Sequence, residues 1–143
     1  MKSFLCTACG AAGTFIAAAL GGWDSAIIAL LVFMGIDYVT GLAVAGIFHK
    51  SKKSESGGLE SRAGFKGLVR KSTVLLLVVI ANLLDQQIGG QYIRNAVCIG
   101  FMANELLSIV ENASLMGLPI PAAITKALDI LADKQNSEVT RNG

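Results

Sequence analysis

Charge is what this sequence has least of: 15% of its 143 residues are Asp, Glu, Lys or Arg, against 53% apolar. A soluble globule carries about 25% charged residues, because its surface has to face water. A small fold is mostly surface, so the shortfall excludes a water-soluble bundle, which would need a polar face on every helix. Histidine is reduced to His49, which lies beside a span and is solvated. Cysteine is sparse and odd in number. Cys6, Cys9 and Cys98 all sit in apolar segments, where a reduced thiol behaves as a small hydrophobe, and no histidine accompanies Cys6-x-x-Cys9 to make a metal site. No nucleophile–base set and no cofactor motif is visible. The stretch Gly57-Gly58 to Arg62-Ala63-Gly64-Phe65-Lys66-Gly67 lacks both the glycine–lysine–hydroxyl run and the preceding strand of a phosphate loop.

What is present is a series of long apolar runs, which predict an all-α, polytopic membrane protein. Four spans are expected, at about 4–20, 25–48, 72–92 and 95–112. Residues 25–48 carry one charge, Asp37, and reach about 36 Å at 1.5 Å per residue, enough for a tilted crossing of a ~30 Å hydrocarbon core. Residues 4–20 are uncharged but rich in Ala and Gly. Lys2 and the run Ala17-Ala18-Ala19 also give them the form of a cleaved signal peptide, although another span follows directly. Gly21-Gly22-Trp23-Asp24 makes a tight turn, and Gln86 to Gln91 a short loop between the last two spans. Beyond them Gly117 and Pro119 end the fourth helix. Pro121 opens a short amphipathic helix over 121–134, with Ile124, Ala127, Leu128 and Leu131 on one face, on the inner leaflet or against a neighbour. A polar, disordered tail is expected over 135–143.

The few charges are placed unevenly. The loop 49–71 holds Lys50, Lys52, Lys53, Arg62, Lys66, Arg70 and Lys71 against Glu55 and Glu60, while the rest of the chain has five bases and eight acids. Loops of this kind stay cytoplasmic and face anionic lipid, so the asymmetry signals orientation and not nucleic-acid binding. With four spans both termini are cytoplasmic too, and only Arg94 of the basic residues lies on the far side.

Four carboxylates, Asp37, Asp85, Glu105 and Glu111, lie in or near the bilayer, with no Lys or Arg inside a span to pair with them. Such groups must be protonated, hydrogen-bonded or wet. They belong to polar stripes at helical spacing. A shared polar layer is expected from Asp37, Thr40, Asn82, Asp85, Asn104, Glu105 and Ser108. Small residues at the same spacing, Gly13, Ala17, Gly41, Ala96 and Gly100, are expected to let helix backbones approach closely. Two readings of the stripes stay open: packing within one subunit, or the lining of a water-filled lesion between identical copies.

Several of these residues occur in a familiar order: Gly21-Gly22-Trp23-Asp24, Asp37-Tyr38-Val39-Thr40-Gly41, Gly64-Phe65-Lys66-Gly67, Ala81-Asn82-Leu83-Leu84-Asp85, Asn104-Glu105, Glu111-Asn112-Ala113 and Gly117-Leu118-Pro119-Ile120-Pro121. Over roughly residues 20–134 the chain resembles the toxin-secretion/phage-lysis holin family of phages and prophages of Gram-positive bacteria. The resemblance implies a non-enzymatic protein of the bacterial inner membrane. It would oligomerise and permeabilise that membrane, releasing an endolysin for host lysis or exporting a toxin, with no necessary direct contact to either. Two other readings compete. A small proton-coupled exporter would use a membrane carboxylate, but few of the nine aromatic residues lie near Asp37 to stack on a cationic substrate. An antiholin or membrane scaffold would open no lesion at all.

Overall fold

The computed structural model describes residues 1–142. Its five helices are α1 (Lys2–Ala19), α2 (Ser25–Gly46), α3 (Ser61–Ile88), α4 (Tyr92–Leu115) and α5 (Ala122–Asn142). The fold is all-α, 79% helical, with no strand among the described residues. α1 to α4 are each long and apolar enough to cross a membrane.

α2, α3 and α4 form the body, with α2 against α4 the most extensive pairing. Ile27, Leu30 and Met34 of α2, Val74 and Val78 of α3, and Cys98 and Met102 of α4 close the apolar core, with Leu20 at its edge. The exterior is apolar as well, exposing Ile28, Val32, Val39, Leu76, Ile80, Leu83 and Leu84. Polar groups have gone inside instead: Asp37, Asn82, Asp85, Arg94, Glu105 and Asn112 are all buried. A soluble protein has the reverse arrangement, and lipid is the solvent that accepts this one. α1 stands apart. Ala17 is its only buried residue, and it touches the body only lightly, through α3.

The loop after α2 is shorter than the apolar pattern predicts. α3 starts at Ser61, so Arg62, Lys66, Arg70 and Lys71 lie on a helix and not in a loop. Its 28 residues reach about 42 Å, more than a ~30 Å hydrocarbon core, so an end with charged residues can lie outside. Gly64 and Gly67 face Tyr38 of α2. A Cβ at Gly64 would stand 3.6 Å from the Tyr38 hydroxyl and one at Gly67 3.8 Å from its ring, both ordinary packing distances. At the other end of the chain, α5 does not stop near residue 134. It continues through Asn142, so the segment expected as a disordered tail is helical as far as it is described, and Gly143 lies outside the described residues.

Candidate functional site

The polar stripes of α2, α3 and α4 meet in two places. Asp24 and Asp37 are thirteen residues apart on α2 and its cap, so the two places are separated by about 20 Å along the bundle. The single polar layer expected from the sequence is therefore divided.

The first cluster ties three helices to one ammonium. Lys71 Nζ of α3 lies 2.7 Å from Asp37 Oδ2 of α2 and 2.5 Å from Glu105 Oε2 of α4. Its side chain is only 15% exposed. Asn112 of α4 donates to Asp37 Oδ1 at 3.2 Å, to the Asp37 carbonyl at 3.3 Å and to the Thr40 hydroxyl at 2.9 Å, and the Thr40 hydroxyl in turn donates to the Ile36 carbonyl at 2.8 Å. Lys53, from the loop, reaches back to within 3.7 Å of Asp37 Oδ1 and donates to Ser108 Oγ at 3.3 Å, with 55% of its side chain still exposed. Two acids and two bases make the cluster neutral. A cavity of about 550 Å³ opens beside it, with Lys52, Lys66, Arg70, Asn104 and Glu111 on its walls.

Lys71 corrects two expectations. The sequence pattern places it in a basic loop facing lipid and leaves the spans with no base for their acids; the structure puts it on α3, bonded to two of those acids. Because α3 begins early, Lys71 falls in register with Val74, Val78, Ala81, Asn82 and Asp85, which are the buried face of that helix. That register is present in the sequence, but the apolar run begins only after Lys71 and leaves it at the edge. Lys50, Lys52, Arg62, Lys66 and Arg70 are exposed.

The second cluster forms at the α1–α2 turn. Arg94 of α4 grips Asp24 with both terminal nitrogens, at 2.6 Å and 3.1 Å, and donates from Nε to the Leu20 carbonyl and from Nη2 to the Gly22 carbonyl. Asp24 also caps α2 by accepting from the Ile27 amide at 3.0 Å. The Arg94 guanidinium holds the Asp24 carboxyl below the usual carboxylate range; desolvation opposes it without cancelling it, and the Ile27 amide adds a lesser lowering. Asn82 donates to the Ala19 carbonyl at the end of α1. Asp85, on the last turn of α3, accepts from the amides of Ile93 and Arg94 at 3.1 Å and 2.8 Å, and so caps α4 from a neighbouring helix. Gly21 sits in the left-handed region at φ 87°. A Cβ there would come within 2.6 Å of Arg94 Nε and 2.7 Å of Asn82 Oδ1, so only glycine lets the turn approach this closely.

Of the residues expected in one layer, Asp37, Thr40, Glu105 and Ser108 converge, and Asn104 lines the cavity beside them. Asn82 and Asp85 belong to the second cluster. Among the packing candidates, Ala17 is buried, Ala96 half-buried, and Gly41 lies against Asn112, while Gly13 has no neighbour within 4 Å of a Cβ position. Gly100 lies under Gln135 of α5. Sequence reasoning missed Arg94 and Asn112 as site residues. Their signal is the buried ridge of α4, where Arg94, Cys98, Met102, Glu105 and Asn112 recur at helical spacing. Among the described residues no group of His, Cys, Asp and Glu is arranged to hold a metal ion.

A family model described as the bacteriophage holin family matches residues 14–133. An uncharacterized Clostridium perfringens protein is 33% identical over 126 residues, covering 87% of each chain. A Halalkalibacterium halodurans protein, also uncharacterized, is 36% identical over 78% of this chain and 81% of its own. A Bacillus phage phi105 protein named as a probable holin is 32% identical, over 79% of this chain and 78% of its own. No solved structure matches.

Proposed function

The chain belongs to the bacteriophage holin family, and from that premise we propose that it accumulates in the bacterial inner membrane, assembles with copies of itself and opens a lesion there. An endolysin would leave through the lesion to reach the cell wall, or a toxin would be exported by the same route. The observation that carries the reading is the family match, which takes in α2, α3, α4 and most of α5. The structure supports it with a lipid-compatible exterior and a buried polar interior. The exposed bases near the start of α3 favour a cytoplasmic position for that end, with the N-terminus on the same side and the Asp24–Arg94 cluster on the other.

An exporter would need an unpaired carboxylate to exchange protons for its substrate. Asp37 and Glu105 both hold Lys71 instead, so nothing favours that reading. Induced expression in a bacterial host, followed with a potential-sensitive dye, tests the proposal. Abrupt collapse of the membrane potential is expected, with lysis when an endolysin is co-expressed. A steady potential at full membrane levels of the protein would overturn it.

A further inference from the structure

α5 poses a problem that the other helices do not. It runs antiparallel to α4 and packs extensively on it. Gln135 lies over Gly100, where a Cβ would meet its Nε2 at 2.5 Å. Gly100 is eight residues from the start of α4, about 12 Å, and Gln135 is thirteen residues along α5, about 20 Å. α5 therefore lies beside a membrane-length helix at the depth of the bilayer. It is not docked on a surface beyond the end of that helix.

Its composition does not suit lipid. Leu128, Leu131 and Gln135 are half-buried on the side toward α4. Lys126, Asp129, Asp133, Lys134 and Arg141 are all exposed on the opposite side. A helix with one face on a transmembrane neighbour and the other studded with charges has water, not hydrocarbon, across from it. An isolated subunit surrounded by lipid cannot provide that water, whereas a ring of subunits enclosing an aqueous space can.

We propose that α5 stays docked on α4 in the membrane and that its charged face lines the water-filled lesion, each copy contributing one α5 to the wall. The inference rests on the lesion-forming reading above and goes further by assigning the lining surface. Lys126, Asp129, Asp133 and Lys134 are the side chains that passing water and ions meet, while the Asp37–Lys71–Glu105 cluster holds the subunit together behind them. The competing arrangement has α5 swung out about residues 117–121 to lie along the membrane surface.

The test uses full-length protein in which Cys6, Cys9 and Cys98 are replaced by alanine, reconstituted into phospholipid vesicles loaded with a small anionic dye. Gly100→Cys with Gln135→Cys is added so that oxidation locks α5 onto α4 within one chain. Equal dye release from the oxidised and reduced forms is expected. Release that disappears on oxidation and returns on reduction would overturn the proposal, because α5 would then have to leave α4. A second, single variant guards against misfolding of the first. Asp133→Cys, treated on both sides with a charged membrane-impermeant thiol reagent, should show several-fold slower release. Unchanged release after complete modification would also overturn the lining role. Failure of the wild-type protein to release dye at all would instead remove the lesion-forming reading, and the two failures are thereby distinguishable.

Discussion

Replacing Lys71 with methionine should be the most damaging single change in the bundle. The ammonium is nearly enclosed and serves Asp37 and Glu105 at once, so its removal leaves two carboxylates facing each other at the junction of three helices. Breaking a buried ion pair by deleting one partner costs about 3–5 kcal/mol, because the remaining charge is uncompensated. Lys53 compensates little: it stands 3.7 Å from Asp37 and is half exposed, and pairs of that kind contribute about 0–1 kcal/mol. Glu105→Gln alone should be mild, about 1 kcal/mol, since it leaves the Asp37–Lys71 pair and keeps a group able to accept from the ammonium. The triple variant Lys71→Met, Asp37→Asn, Glu105→Gln removes the charges together and should recover most of the loss, because well-packed neutral groups can replace a buried ion triad without penalty. Unfolding in mixed detergent micelles, followed by circular dichroism as the denaturing detergent is raised, measures all three. A Lys71→Met protein as stable as wild type would refute the reasoning, and so would a triple variant no better than the single one.

Gly21→Ala should destabilise the α1–α2 turn by about 1–3 kcal/mol, since the position is left-handed and its Cβ would strike Arg94 and Asn82; loss of protection at the α1 C-terminus in hydrogen exchange checks it. Asp85→Ala should cost about 1 kcal/mol by removing the cap of α4, with faster exchange confined to the amides of Ile93 and Arg94. Asp24 gives the pH dependence. Its folded-state carboxyl ionises below the ordinary value, so its contribution is complete above about pH 4 and lost as the pH falls through the lowered pKa. With the side chain 49% exposed the effect is small, and Asp24→Asn should flatten the acid side of the stability curve; an unchanged acid limb would contradict it.

Element type was legible throughout because apolar runs of membrane length permit little else, and Asp24, Gly117 and Pro119 mark helix ends by chemistry that does not depend on partners. The pairing of Asp37 with Glu105 was legible in part, since both stand at similar depth on their helices. Lys71 was not, because hydropathy places a charged residue outside a span whenever it lies at the edge of one. Only the helical register with Val74 and Val78 reveals that it points inward. The division of the polar residues into two clusters was likewise hidden. Asn82 and Asp85 look like members of a mid-membrane layer until the chain reversal at Gly89 brings the Asp85 carboxylate onto the open amides of α4. The length of α5 was missed for a similar reason. Residues 135–142 are polar except for Val139, and their helical state comes from continuing a helix already held against α4.

Association in lipid gains nothing from burying apolar side chains, because the hydrocarbon around the protein is already apolar. The exposed Ile, Leu and Val residues of α2 and α3 therefore solvate the subunit without drawing copies together. In the proposed assembly the drive comes from polar surface that lipid cannot satisfy, and α5 contributes Lys126, Asp129, Asp133 and Lys134 to it. A charged side chain in mid-bilayer costs about 2.5–3.5 kcal/mol on insertion scales, so Lys126, Asp129, Asp133 and Lys134 together amount to about 10–14 kcal/mol as an upper limit. That penalty falls when several α5 faces enclose a common body of water, and enclosure requires a minimum number of copies. Below that number each added subunit gains little; at that number all gain at once. A protein built this way can accumulate in a membrane while leaving it intact, and then open it over a narrow range of concentration. Neutral replacement of Asp129, Asp133, Lys126 and Lys134 should accordingly delay or abolish opening at unchanged membrane levels, whereas opening on the wild-type schedule would show that the charges of α5 do not drive assembly.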